Sequence, residues 1–128
     1  MGEASEPRVE TMTHNARLTG RVREVLSGKA NLEEKRMFGG VAFMINGKLC
    51  VSVRDSRIMC RVDPAAVGEL TKMKGCRTMK MGGREYKGYV LVDEKALGTR
   101  RELNFWVGAA LDFNRRIRAA QMLSSKAS

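Results

Sequence analysis

Residues 41–62 constrain the fold more than any other stretch. Three runs, Val41–Ile45, Lys48–Val53 and Arg57–Val62, are separated only by Asn46-Gly47 and by Arg54-Asp55-Ser56. Asn-Gly between apolar runs is a strong hairpin signal, because a type I′ turn needs positive φ at both central residues. The second and third runs alternate. Leu49, Val51 and Val53 face one way and Cys50 and Ser52 the other; Ile58, Cys60 and Val62 oppose Arg57, Met59 and Arg61. Such alternation predicts a sheet with one face in the core and the other wet or partnered.

Helices flank this meander. Leu18, Val22, Val25 and Leu26 share one helical face, which predicts a helix from about Asn15 to Ser27, stopped by Gly28. Asn31–Glu34 is read as a short turn, and Phe38-Gly39-Gly40 breaks any helix. Asp63-Pro64 caps and starts a second helix that runs to about Met73, ahead of Gly75. Arg77–Met81 and Arg84–Val92 form a second hairpin around Gly82-Gly83. In a last helix, about Thr99 to Met122, Leu103, Trp106, Ala110, Phe113 and Ile117 make one apolar stripe. Residues 1–13 read as a loose tail, 14–123 as one domain and 124–128 as a frayed end. The fold class is α+β with two layers: an antiparallel sheet of about five strands and helices on one face, in the order α-β-β-β-α-β-β-α.

At 128 residues, 43% hydrophobic and 30% charged, the chain has the composition of a single globular domain rather than a disordered segment. Its longest apolar runs are four or five residues, against the roughly 20 that a membrane helix needs. No signal-peptide pattern opens the chain. Cys50, Cys60 and Cys76 have spacings that match no zinc pattern, and the only histidine, His14, stands in the tail. The cysteines are expected to be buried and reduced, which points to a cytoplasmic protein with no metal. Residues 1–35 carry as many acids as bases, so the whole net charge of +10 resides in residues 36–128.

Catalytic signals are weak. With no histidine in the folded region, Ser-His and Cys-His pairs are excluded. No Walker lysine follows the glycines, and no cofactor motif is present. Asp93-Glu94 reads as acidic charge at a helix N-terminus rather than an acid/base pair. The chain is therefore expected to be no enzyme. Of nine methionines, most are expected to fill core gaps, with Met59, Met79 and Met81 as exceptions. By alternation these three share a face with Arg57, Arg61 and Arg77, a mixed Met/Arg surface suited to a protein partner. Arg101, Arg115 and Arg118 form a solvated helix face or, in the sharper reading, an electrostatic footprint for nucleic acid. Trp106 and Phe113 are claimed by the core, which leaves few rings for base stacking.

Four segments in order resemble the N-terminal domain of the TfoX/Sxy family. They are Lys35-Arg36-Met37-Phe38-Gly39-Gly40 with the strand, Asn-Gly-Lys turn and strand that follow; Arg61-Val62-Asp63-Pro64; Gly83-Arg84-Glu85-Tyr86-Lys87-Gly88-Tyr89-Val90; and Leu103-x-x-Trp106-Val107. Tyr86 stands where methionine is common in the family. The resemblance implies a two-layer fold similar to type III secretion chaperones. It also implies a regulatory module, since the best-known members are competence regulators that act as co-activators with the cyclic-AMP receptor protein. Those members carry a further C-terminal domain for which this chain has no room, so a stand-alone module is expected. The family supplies no catalytic residues. Gly39, Gly40, Gly47 and Gly88 are read as structural, permitting turns or close backbone approach, with Trp106 in the core. Phe38 is expected to pack beneath the start of the sheet. The partners expected are a protein, with a transcription factor as one candidate, or a second copy paired through an edge strand. The alternative is a basic, DNA-associated regulator that binds nucleic acid through phosphates.

Overall fold

The computed structural model describes residues 15–37 and 39–127, and for Met81 and 121–127 the backbone alone. The expected tail, His14 and Phe38 lie outside the described residues. Helix α1 spans Ala16–Leu26 and is capped by Asn15, whose Oδ1 accepts the Leu18 N–H. Strands β1 (Leu32–Met37), β2 (Gly40–Ile45), β3 (Lys48–Arg54) and β4 (Arg57–Arg61) follow. A 3-10 turn at Pro64–Ala66 runs into the one-turn helix α2 (Val67–Leu70). Strands β5 (Cys76–Met81) and β6 (Arg84–Asp93) precede a 3-10 turn at Glu94–Leu97 and helix α3 (Arg100–Ala127). The strands form one antiparallel sheet in the order β1-β2-β3-β4-β6-β5.

The α+β class holds, with six strands among the described residues where about five were expected. The additional strand is β1, where a short turn was expected. Its Glu33-Glu34-Lys35-Arg36 centre carries no apolar alternation, and pairing with β2 alone makes it a strand. Charged residues of this kind suit a sheet edge, where they discourage further pairing. The Asn46-Gly47 turn forms as expected, with φ of 56° and 75°.

Register explains the core. Val41, Val53, Ile58, Val92 and Cys76 face one another across five strands, and Phe43, Val51, Cys60 and Val90 make the next row. Both rows are buried beneath Leu18, Val22 and Leu26 of α1 and Leu103, Trp106, Val107 and Ala110 of α3. A fully buried aliphatic or aromatic side chain contributes about 1.5–3 kcal/mol, so these rows carry much of the stability.

Local irregularities correct the expected pattern. Val51 pairs with Phe43 but Leu49 with Met44, so Cys50 is the extra residue of a bulge. Cys50 therefore joins the core, and half-buried Leu49 falls on the other face, the reverse of strict alternation. The second helix is also shorter than expected. The Asp63 cap forms, but Thr71 turns its hydroxyl back onto the Val67 and Gly68 carbonyls, and the backbone closes in tighter turns up to Met73. In α3 the stripe rotates. Val107 and Asn114 are buried while Phe113 and Ile117 are half-buried, and the Asn114 Nδ2 donates to the Ile45 carbonyl at 3.2 Å. Thr99 and Glu102 cap this helix reciprocally, and it continues to Ala127, past the expected Met122.

Candidate partner-binding groove

Both long helices pack on one face of the sheet, and among the described residues no helix covers the other, the bare face. The central row of the bare face runs Lys35, Ala42, Ser52, Met59, Leu91 and Arg77, one residue per strand. Ala42 is fully buried among its neighbours, while Ser52, Met59 and Leu91 are half-buried. At the end of this face near the β3–β4 turn, all six strands line a concavity of about 390 Å³. Met37 of β1 and Met79 of β5 both contribute, although these strands lie at opposite edges of the sheet. The sheet therefore curls, and its bare side is the hollow one.

The floor is apolar, made by Met37, Met59, Met79 and Leu91, and the rim carries Arg54, Arg57 and Lys80. Ser52 supplies a hydroxyl, and no carboxylate or histidine lines the groove among the described residues. Gly39 and Gly40 set one wall. A Cβ on Gly40 would overlap the Val53 carbonyl oxygen, so only glycine lets β2 begin this close to β3. Gly88, at φ 85°, packs against Pro64 and offers its carbonyl to the Val62 N–H at 2.8 Å.

The expected Met/Arg surface is gathered only in part. Arg57, Met59 and Met79 line the groove. Arg77 flanks it and pairs with Asp93 at 3.4 Å. Arg61 is drawn away, its guanidinium 6.0 Å from the Tyr89 ring and 5.8 Å from that of Phe113 on α3. Phe113, expected in the core, thus packs between Arg61 and Arg116. The side chain of Met81 lies outside the described residues. Met37, Arg54, Lys80 and Leu91 were missed as site residues, because no alternation within one strand reveals which neighbours a curled sheet brings together.

The basic helix face is exposed at Arg101, Arg115 and Arg118. Arg115 pairs with Asp112 at 3.5 Å, and Arg116 bridges Asp112 and Asp63 at 3.3 and 2.9 Å. The Ala65 N–H, and then Arg116, hold the Asp63 carboxyl below the usual carboxylate range. On the other edge, Arg23 of α1 grips Glu34 of β1 through two bonds of 2.6 and 2.8 Å. That bond lowers the Glu34 carboxyl below its ordinary value.

The three cysteines are free and buried. Burial pushes their thiols up, Cys50 to about 12 and Cys76 to about 11, with Cys60 raised as well. They stay protonated at neutral pH and lack nucleophilic character. Among the described residues, no three metal-ligating side chains stand together, and no helix is long and apolar enough to cross a membrane.

A family model described as the TfoX N-terminal domain matches residues 24–114. No curated protein and no solved structure matches the chain. The matched span reaches from the end of α1 through all six strands into α3 and contains every groove residue. A match over well over half of the 128 residues means that the chain belongs to the TfoX N-terminal domain family.

Proposed function

We propose that this domain is a non-enzymatic regulatory module that binds a protein partner through the bare face of its sheet. The observation that carries the reading is the groove itself: a concave apolar floor inside a cationic rim, lined by all six strands. A soluble fold has no need to leave such a hollow uncovered, and apolar hollows with a polar rim suit partner recognition. Membership of the TfoX N-terminal domain family supports a regulatory, co-activator-type role in the cytoplasm. The groove chemistry supports binding over catalysis, since among the described residues Ser52 has no histidine or carboxylate beside it in the lining.

A photo-crosslinking amino acid in place of Met59, with a control in place of Arg101, tests this in living cells. A discrete protein adduct from the Met59 position and none from the Arg101 position is the expected result. Nuclease-sensitive adducts from the Arg101 position alone would replace this reading with phosphate-borne DNA association.

A further inference from the structure

The groove also specifies what kind of segment it accepts. Its floor is thioether and aliphatic, and methionine adapts to apolar groups of differing shape. Its rim holds Arg54, Arg57 and Lys80, with no carboxylate in the lining among the described residues. Arg54 has only a loose 3.7 Å pair with Asp55, and its side chain is 56% exposed. Arg77, just outside, is already engaged by Asp93. A purely acidic ligand would gain only exposed, salt-screened pairs at such a rim. A purely apolar ligand would leave the cations unused. A segment with both features uses both, and a guanidinium can hold a carboxylate through two parallel bonds. At about 390 Å³ the hollow is near the low end of the ~300–1,000 Å³ typical of ligand pockets, room for one or two side chains.

We propose that the groove takes a short peptide segment of a protein partner, with a bulky apolar side chain seated on Met59 and Leu91 and an adjacent carboxylate on Arg57 or Arg54. This rests on the reading of the bare face as the partner surface.

Three fluorescein-labelled octapeptides test it by anisotropy on the full chain: Gly-Asp-Asp-Leu-Leu-Asp-Asp-Gly, the same peptide with Ser-Ser at its centre, and the same with Lys for every Asp. The acidic leucine peptide is expected to bind about tenfold more tightly than either control. Arg57→Gln, a change at the half-buried rim that leaves the core intact, is expected to weaken it about fivefold and to reduce its loss between about 50 and about 200 mM salt. Met59→Thr is expected to weaken it by a similar factor, while Arg101→Gln leaves it unchanged. Equal binding of the leucine and serine peptides overturns the proposal, because charge alone then suffices. So does an Arg101→Gln effect as large as that of Arg57→Gln. So does dimerisation that Met59→Thr abolishes, because the occupant is then a second copy. If the peptides fail while the Met59-position crosslink persists, the face binds a partner of other chemistry, and only the present inference falls.

Discussion

Ile58 and Met59 are neighbours in β4, yet they belong to different environments. Ile58 is fully buried between Val53 and Val92, under the helices. Met59 lies half-buried between Ser52 and Leu91, on the hollow side. β6 is divided in the same way, whereas in β2 Ala42 is buried on the hollow side as well and in β3 the bulge at Cys50 breaks the alternation. One set of residues supplies the burial that holds the sheet to its helices. The other is free to vary in chemistry because folding makes few demands on it. The difference teaches that a single strand can carry stability on one set of alternate residues and leave the other set to form a surface of different chemistry.

The sharpest way to break that comparison is to truncate both neighbours. Ile58→Ala is expected to cost about 2–5 kcal/mol in chemical denaturation, because it opens a cavity in a packed row. Met59→Ala is expected to cost about 1 kcal/mol or less, in line with changes outside the core. Comparable losses would mean that the bare face is part of the core. Glycine at position 40 gives the next largest effect. Gly40→Ala forces a methyl against the Val53 carbonyl and is expected to cost about 1–3 kcal/mol, whereas Gly20, with open space around it in α1, should tolerate Ala with a small gain in melting temperature.

Arg61 and Arg57 sharpen the comparison within one face. Arg61→Gln removes cation–π contacts with Tyr89 and Phe113 and is expected to destabilise by about 0.5–1 kcal/mol. Arg57→Gln is expected to leave the denaturation midpoint where it was. The thiols report the covered face chemically. Cys50, Cys60 and Cys76 should resist a disulfide reagent at pH 8 in the folded protein and all react once it is unfolded, a count made by absorbance. Their raised values also set a sign: the stabilisation is present below the unfolded thiol value and is lost as the pH rises through the folded one.

The smallest expected effect is at the sheet edge. The Glu34 carboxyl is held below its unfolded value by Arg23, so the clamp stabilises above about pH 4.3 and weakens as the pH falls through the lower folded value. Protection of the β1 amides, taken relative to the intrinsic exchange rate at each pH, should fall over that acid range, and in Glu34→Gln it should already be low at neutral pH, with the β3 and β4 amides unaffected. An unchanged β1 would show that backbone pairing with β2 alone holds this edge.

Legibility followed the range of the interaction. The Asn46-Gly47 turn, the Asn15 and Asp63 caps, and the inward side of β4 were readable because each depends on a few consecutive residues. Cys50 was misread because a bulge depends on how β3 meets β2, not on β3 itself. Asn114 was passed over because its partner is the Ile45 carbonyl, 69 residues away. Three of the seven floor and rim side chains were legible, through the Met/Arg alternation at Arg57, Met59 and Met79. Arg61 defeated that reading, since a long side chain at a strand end chooses among neighbours from other elements.

The sequence by itself determined the α+β class, the central meander, the helices that flank it and the inward side of β4, because periodicity and turn chemistry are properties of the local chain. Tertiary structure alone decided that Leu32–Met37 is a strand and that Met37 and Met79 meet across the sheet. A charged edge strand becomes a strand only when a neighbour offers its backbone groups. A curl shows only when all six strands are twisted together.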